Sequence, residues 1–188
     1  MESDDRGETH TVETICLIGY RGTGKTSIAQ QLAARLGWEW FDSDREVESE
    51  TGRSIAEIFQ DDGEAHFRNL ECAAVAKVLA GRQRVVALGG GAVLRAENRQ
   101  QMAASAKVVW LQASVETIAS RLENDPLTAS RRPNLTTDGG LQEIRQVLAD
   151  RSPLYRECAD LVVDTEDKDV VAVATEIHER LHLTSDGT

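Results

Sequence analysis

Short apolar runs alternate along the chain with longer segments in which apolar residues recur every three or four positions. Five runs have the length and the β-branched or aromatic content of buried strands: ETICLIG, WEWF, RVVAL, KVVWL and DLVVD. Strand runs that are separated by helical segments are typical of a parallel sheet with helices on both faces. The pattern therefore predicts an α/β fold of three layers, with a central parallel sheet of five strands.

The periodic segments place the helices. Ile28, Leu32 and Leu36 lie four residues apart and form one apolar stripe, which ends at Gly37. Ser54 followed three residues later by Glu57 has the spacing of a capping box and predicts a helix start. Further helices are predicted over residues 64–80, 97–104, 115–122 and 141–150, and from the stripe Val170, Val173, Ala174, Ile177 and Leu181.

Three segments lack this periodicity. Residues 123–140, ENDPLTASRRPNLTTDGG, form a long polar stretch, which is typical of a mobile lid over a binding site. Residues 1–11 and 184–188 are polar and are expected to be disordered tails. The remaining residues, 12–183, are expected to form a single domain, since their number suits one hydrophobic core.

The composition narrows the class of protein. The chain is 40% hydrophobic, and its net charge of −11 disfavours nonspecific binding to nucleic acid, which depends on many lysine and arginine contacts. No apolar run approaches the roughly 18 residues that cross a bilayer, and the N-terminus lacks the features of a signal peptide. Three cysteines without metal-ligand spacing predict reduced thiols. We expect a cytoplasmic monomer that binds neither nucleic acid nor a membrane.

The stretch GYRGTGKT, residues 19–26, matches the phosphate-binding pattern G-x-x-x-x-G-K-[ST]. In this pattern glycines let backbone N–H groups approach phosphate oxygens, Lys25 reaches the outer phosphates, and the hydroxyl of Thr26 can bind Mg²⁺. The stretch follows a predicted strand and opens a predicted helix, whose N-terminus favours anions. The alternative, a solvated lysine beside a capping threonine, does not explain this context.

Carboxylates that could assist phosphoryl transfer follow the second predicted strand. RVVAL and KVVWL end without an aspartate, and a guanine-selecting motif is missing, which argues against motor ATPases and GTPases. Asp42 and Asp44 are expected to enter the site from an irregular turn. One would hold a water of the metal, and the other would accept a hydrogen bond or a proton from an alcohol. Alternatively, the two aspartates simply start a helix.

Several other residues are candidates for binding an anionic substrate. Arg68, with Glu71 three residues later, is either a guanidinium oriented by a carboxylate or a surface ion pair. Gly89, Gly90 and Gly91 form either a tight turn or a bare backbone against a substrate. Arg151, two residues before Pro153, is a further candidate or a surface residue.

Arg131 and Arg132 lie in the polar segment 123–140. They are candidates for cations that close over phosphates, and flexible surface arginines are the alternative.

Taken together, the order and spacing of these motifs resemble those of the shikimate kinase family over nearly the whole chain. The matching stretches are GYRGTGKTS, FDSD, TGRSIAEIF, GEAHFRNLE, ALGGGAV, an arginine–proline pair in the lid, and RSPLYR. The resemblance implies a nucleoside-monophosphate-kinase-like P-loop fold. It also implies transfer of the γ-phosphate of ATP, with Mg²⁺, to the 3-hydroxyl of shikimate, a step towards chorismate and the aromatic amino acids.

The resemblance also implies roles for individual residues. Asp42 would touch the water shell of the metal, and Asp44 would bind the ring hydroxyls and act as base. Arg68 and Arg151 would clamp the shikimate carboxylate, with Gly90 and its neighbours facing the ring. Arg132, before Pro133, would contact ATP. The ATP phosphates would lie on Gly22, Thr23, Gly24, Lys25, Thr26 and Ser27, with Thr26 as metal ligand.

The chain departs from the family pattern in three ways, one of which is that the lid reads RPNL where a second leucine is commoner. The lid is a few residues longer than the short family form, which leaves Arg131 and Arg132 as alternatives. After the last strand the chain reads TEDKD, so Lys168 stands where an arginine near the adenine is common. Two other functions stay open: another small-molecule P-loop kinase, for gluconate or a nucleoside monophosphate, and an ATP-binding regulatory protein without catalysis.

Overall fold

The computed structural model describes residues 13–124 and 140–183. Its five strands are β1 (Thr14–Ile18), β2 (Glu39–Asp42), β3 (Arg84–Ala87), β4 (Lys107–Gln112) and β5 (Leu161–Asp164). They pair in parallel, in the order β2-β3-β1-β4-β5. The five predicted strands are thus confirmed. The predicted tails and nearly all of the predicted lid lie outside the described residues.

Seven α-helices lie within the described residues. They are α1 (Lys25–Leu36), α2 (Ser43–Thr51), α3 (Ile55–Leu79), α4 (Ala96–Ser105), α5 (Val115–Glu123), α6 (Gly140–Cys158) and α7 (Val170–Arg180), with a short 3₁₀ helix at Ala92–Leu94. In the part of the chain described, no helix is both long enough and apolar enough to pass through a bilayer.

The sheet is covered on both faces because successive side chains of each strand point in opposite directions. In β1, Ile15 and Leu17 pack against α1 and α7, whereas Cys16 and Ile18 pack against α3, α4 and α6. Both faces of the strand are therefore fully buried. This arrangement confirms the predicted three-layer α/β fold and explains why the strand sequences are apolar without alternation.

Helix α3 contains a sharp break. Gly63 has φ 79° and ψ 172°, which is not a helical conformation. The break separates a first segment, which begins at the predicted capping box of Ser54, from a second segment that ends at Leu79. The two helices predicted on either side of residue 63 are therefore both present, and they run into one another without a loop.

Two local predictions need correction. Of the two alternatives at Asp42 and Asp44, the irregular turn is wrong and the helix start is confirmed, because the Asp42 carboxylate accepts hydrogen bonds from the N–H groups of Asp44 and Arg45 and caps helix α2. Helix α6 does not end near residue 150 but continues through Pro153 to Cys158. Its last turns stay helical because Leu154 and Tyr155 pack into the core beneath the sheet.

Candidate active site

The predicted phosphate loop joins β1 to α1 at the carboxyl edge of the sheet. Gly24 caps α1 with φ 87°, a left-handed conformation that favours glycine. The ammonium of Lys25, which is 9% exposed, donates hydrogen bonds to the carbonyls of Gly19 and Tyr20, each at 2.8 Å. The loop therefore curls around the side chain of its own lysine, whose ammonium binds two carbonyls of the loop.

Other residues of the loop have distinct surroundings. Thr23 is buried, and its hydroxyl donates a hydrogen bond to the Tyr20 carbonyl at 2.8 Å, so it shapes the loop. A side chain on Gly22 would approach Leu122 of α5 to 3.3 Å. Ser27 is exposed in the first turn of α1. The N–H groups of this first turn have no partner within the helix, which makes them available to an anion.

Thr26 and Asp42 meet beside the loop. The Thr26 hydroxyl donates a hydrogen bond to Oδ2 of Asp42 at 2.7 Å, while Oδ1 of Asp42 accepts the capping bond from Asp44 N at 3.0 Å. Among residues 13–124 and 140–183, no group of three or more His, Cys, Asp or Glu side chains could hold a metal. One hydroxyl and one carboxylate nevertheless suit Mg²⁺, which keeps several waters and takes phosphate oxygens as ligands.

Next to the loop lies a pocket that we call the acceptor pocket. It brings together every residue that the sequence assigned to substrate binding: Asp44, Arg68, Glu71, Gly89, Gly90, Gly91 and Arg151. Its lining also includes residues that the sequence analysis did not single out, namely Tyr20, Arg21, Ile55, Phe59 and Phe67. The pocket thus combines two carboxylates and three guanidinium groups with an apolar wall.

Arg68 is not a surface residue, since only 7% of it is exposed. Its Nη1 donates to Oε2 of Glu71 at 2.8 Å, and Nη2 donates to Oε1 of Glu64 at 2.9 Å. Burial raises the pKa of Glu71, and the nearby Arg68 opposes that effect. Burial alone would lower the pKa of Arg68, but the two carboxylates outweigh it and raise the pKa. The guanidinium therefore stays charged and is held in one orientation.

Arg151 reaches the pocket from helix α6. Its Nη1 donates to the carbonyl of Gly90 at 3.0 Å, and the hydroxyl of Tyr155 donates to the same oxygen at 2.5 Å. Tyr155 is completely buried, and burial raises its pKa to about 12, so the hydroxyl remains a donor. Residues four apart share a helix face, and this spacing was the available signal for Tyr155, which the sequence analysis missed.

The three glycines form the wall of the pocket because side chains from other elements lie directly against them. A Cβ on Gly89 would be 2.5 Å from Oδ1 of Asp44, and a Cβ on Gly91 would be 2.4 Å from Nη1 of Arg68. The backbone conformation does not demand glycine here, since neither residue has a positive φ. The space is instead taken by the charged ends of Asp44 and Arg68.

The three cations predicted near ATP differ in what the structure describes. Arg131 and Arg132 fall outside the described residues. Lys168 follows β5, and its ammonium donates to Glu176 at 2.7 Å and to the Asp164 carbonyl at 2.9 Å. Arg121, which the sequence analysis missed, links the turn after β5 to the phosphate loop: it donates to the carbonyl of Thr165 at 2.8 Å and to that of Gly22 at 3.4 Å.

Comparison with known proteins agrees with this geometry. The family model for shikimate kinase matches residues 21–182. The chain is 43% identical over 177 residues to a shikimate kinase from Rhodopirellula baltica, covering 94% of this chain and 92% of that protein. It is 41% identical over 173 residues to a shikimate kinase from Nitrosococcus oceani, covering 92% of this chain and 89% of that protein.

Solved structures extend the comparison. A shikimate kinase from Acinetobacter baumannii in complex with shikimate has a TM-score of 0.86 at 34% identity and covers 92% of this chain and 94% of its own. A gluconokinase from Sinorhizobium meliloti has a TM-score of 0.54 at 20% identity, covers 90% of this chain and 95% of its own, and shares the fold alone. From its sequence and its structure, this chain belongs to the shikimate kinase family.

Proposed function

We propose that this protein transfers the γ-phosphate of ATP to the 3-hydroxyl of shikimate and so makes shikimate 3-phosphate for the biosynthesis of aromatic compounds. One observation carries the proposal: Arg68, Arg151 and Asp44 line one pocket directly beside the phosphate loop. A hydroxylated acid needs cations for its carboxylate and acceptors for its hydroxyls, and a kinase needs both next to the triphosphate.

The acceptor would be held by its carboxylate. Arg68 and Arg151 are both buried and come from different helices, so they can grip one carboxylate from two sides. Glu71 keeps Arg68 oriented, and the bare backbone of Gly89, Gly90 and Gly91 leaves room for the ring. The apolar wall of Ile55, Phe59 and Phe67 suits the carbon face of a cyclic substrate.

The donor would lie on the phosphate loop. Backbone N–H groups of residues 22–27 suit the phosphates, and Lys25 would exchange its bonds to the Gly19 and Tyr20 carbonyls for phosphate oxygens. Thr26 and Asp42 would hold Mg²⁺ directly or through water, and the ion when bound neutralises phosphate charge. Arg132 would cover the phosphates from the lid, and Arg121 or Lys168 would lie on the adenine side.

The reaction needs little covalent help from the protein. The 3-hydroxyl oxygen forms a bond to the γ-phosphorus while the bond between that phosphorus and the β,γ-bridging oxygen breaks, and ADP leaves. We assign the hydroxyl proton to the carboxylate of Asp44, which lines the pocket and lies against Gly89. The buried cations offset the charge that builds up on the transferring group.

We also propose the cellular compartment and the oligomeric state in which the enzyme works. Cys16, Cys72 and Cys158 are free thiols. Unpaired cysteines fit a reducing compartment such as the cytoplasm, where we place the enzyme as a monomer.

The decisive experiment is ADP release measured in parallel with shikimate, gluconate and several nucleoside monophosphates as acceptors, with and without Mg²⁺. We expect turnover with shikimate and Mg²⁺ only. Turnover with gluconate or a nucleotide instead would replace the acceptor and keep the fold assignment. ATP binding without turnover on any acceptor would favour the regulatory alternative.

The clamp is tested by Arg151→Ala and Arg68→Lys. Truncating one partner of a buried charge contact weakens the binding free energy by several kcal/mol. Arg151→Ala should therefore raise the KM for shikimate at least about thirty-fold. The KM for ATP should change less than about two-fold in both variants. Arg68→Lys is preferable to Arg68→Ala because it keeps a cation beside the buried Glu71.

The matched control is Arg145→Ala, which removes an exposed arginine on the same helix that pairs with Glu116. It should leave both KM values unchanged. Normal saturation by shikimate in Arg151→Ala would disprove the clamp.

A further inference from the structure

An ion pair joins the phosphate loop to helix α6. Nη2 of Arg21 donates to Oε1 of Glu143 at 2.7 Å. The side chain of Arg21 is 14% exposed and that of Glu143 is 1% exposed, so the contact is shielded from water. Arg21 occupies one of the unspecified positions of the G-x-x-x-x-G-K-[ST] pattern. Phosphate binding by the loop therefore does not itself require an arginine here.

The partner helix makes this contact relevant to the reaction. Helix α6 also carries Arg151 and Tyr155, whose side chains both donate to the carbonyl of Gly90 in the wall of the acceptor pocket. Glu143 and Arg151 are eight residues apart on the helix, which corresponds to about 12 Å along its axis. One rigid helix thus contacts the donor loop near its start and the acceptor wall two turns later.

Other ion pairs of α6 lack this arrangement. Arg145 pairs with Glu116 of α5, and both side chains are more than half exposed, so that pair is screened by water. A buried pair is weak evidence for stability, because an apolar pair of the same shape often stabilises as well, but it does fix a geometry. The Arg21–Glu143 pair joins the phosphate loop to the helix that carries Arg151. Fixing its geometry therefore affects the distance over which the phosphoryl group is transferred.

We propose that the Arg21–Glu143 ion pair is a positioning device that holds the phosphate loop in register with the acceptor pocket through helix α6. The inference rests on the proposed function. Misplacing reacting groups by about 1 Å costs on the order of a hundred-fold in rate. Loss of the pair should therefore lower kcat and leave the separate binding of each substrate nearly unchanged.

The test is a double-mutant cycle with Arg21→Met, Glu143→Gln and the double variant. We expect each single variant to lose about ten- to a hundred-fold in kcat, and the double variant to lose no more than about two-fold beyond the worse single variant, because the same ion pair is broken in all three. Dissociation constants for ADP alone and for shikimate alone, measured by titration, should stay within about three-fold. Arg145→Met is the control and should keep the parent kcat.

Arg21 also lines the acceptor pocket, so it offers a rival explanation: direct contact with the substrate. In that case Arg21→Met would lose kcat while Glu143→Gln would not. That result, or losses that multiply in the double variant, or parent kcat in both single variants, would overturn the proposal. An equal fall in kcat and in both affinities, with a lower Tm, would show a merely structural role and would overturn it as well.

Two conservative variants keep the test valid if a neutral variant fails to fold. Arg21→Lys keeps a cation and should recover most of the kcat, whereas Glu143→Asp keeps the charge but withdraws it by one methylene and should lower kcat. Parent kcat in Glu143→Asp and no recovery in Arg21→Lys would contradict positioning through the pair. Activity of the unmodified enzyme on shikimate is the baseline, and its absence would instead refute the proposed function.

Discussion

At the scale of single residues, the acceptor pocket is shaped as much by missing side chains as by those present. The carboxylate of Asp44 and the guanidinium of Arg68 lie where a Cβ on Gly89 or Gly91 would stand. Each glycine therefore sets the position of a charged group on another element. A larger residue at either glycine should weaken substrate binding more than it lowers the stability of the fold, because the atoms that it displaces are the ends of side chains.

Gly91→Ala tests this relation. The new methyl group would lie 2.4 Å from Nη1 of Arg68 and would displace the guanidinium, although Glu71 and Glu64 resist the shift. We expect the KM for shikimate to rise about ten-fold, which corresponds to about 1.4 kcal/mol, with the KM for ATP unchanged. Steady-state kinetics with each substrate in turn measures both values.

Gly81→Ala is the matched control for that substitution. Its Cβ would lie 2.1 Å from Nε of Arg84, so it also displaces an arginine, but away from the pocket. It should leave both KM values at the parent level. A rise of similar size in both variants would mean that the effect comes from general strain.

At the scale of elements, helix α3 builds one side of the pocket from two segments. Ile55 and Phe59 precede the break at Gly63, and Phe67 and Arg68 follow it, yet all four line the pocket. The rings of Phe59 and Phe67 lie 4.7 Å apart and pack across the break. The cap of the first segment therefore supports the apolar wall, whereas the second segment carries the charge.

The cap gives a pH-dependent prediction. The backbone and side-chain hydrogen bonds from Ser54 lower the pKa of Glu57 below the usual 4.5. A carboxylate whose pKa falls on folding adds stability above its unfolded pKa and loses it as the pH drops through the folded value. Glu57→Gln should therefore lower Tm at pH 7, and its difference from the parent should shrink as the pH falls below 4.5 and vanish once the pH is below the lowered pKa of the folded state.

Thermal unfolding followed by circular dichroism from pH 7 to pH 3 measures this difference. Ser54→Ala, which removes the cap itself, should lower Tm by roughly 2–4 °C at pH 7. Glu179→Gln, an exposed glutamate of α7, is the control. A Tm difference for Glu57→Gln that stays constant over the whole range would contradict the assignment.

The elements also show what the sequence could and could not predict. The strands were predictable because burial on both faces leaves continuous apolar runs. Helix α2 could be given only as one of two alternatives, since Val47 is the only buried apolar residue in it and its start depends on the cap by Asp42. The Arg21–Glu143 pair could not be predicted, because its partners lie 122 residues apart and meet only through the fold.

At the scale of the whole molecule, an acidic protein holds an acidic substrate. The chain carries a net charge of −11, but three arginines line the acceptor pocket, and one of them, Arg151, directs its Nη1 to the neutral carbonyl of Gly90. Salt screens charges farther than about 8–10 Å, so the buried arginines outweigh distant carboxylates. Recognition of the acceptor is therefore local, and binding should be separable from turnover.

Ligand-induced stabilisation tests that separation directly. A ligand present at a hundred times its dissociation constant stabilises the folded state by about 2.7 kcal/mol, which raises Tm by roughly 5–10 °C for a domain of this size. Shikimate should produce such a shift without nucleotide, and gluconate should not. In Arg151→Ala the shift by the same concentration of shikimate should fall to about a third or less, while the shift by ADP with Mg²⁺ remains, because the clamp and the phosphate loop are separate contacts. A shift by ADP but none by shikimate in the parent protein would mean that the pocket beside Asp44 accepts a different molecule.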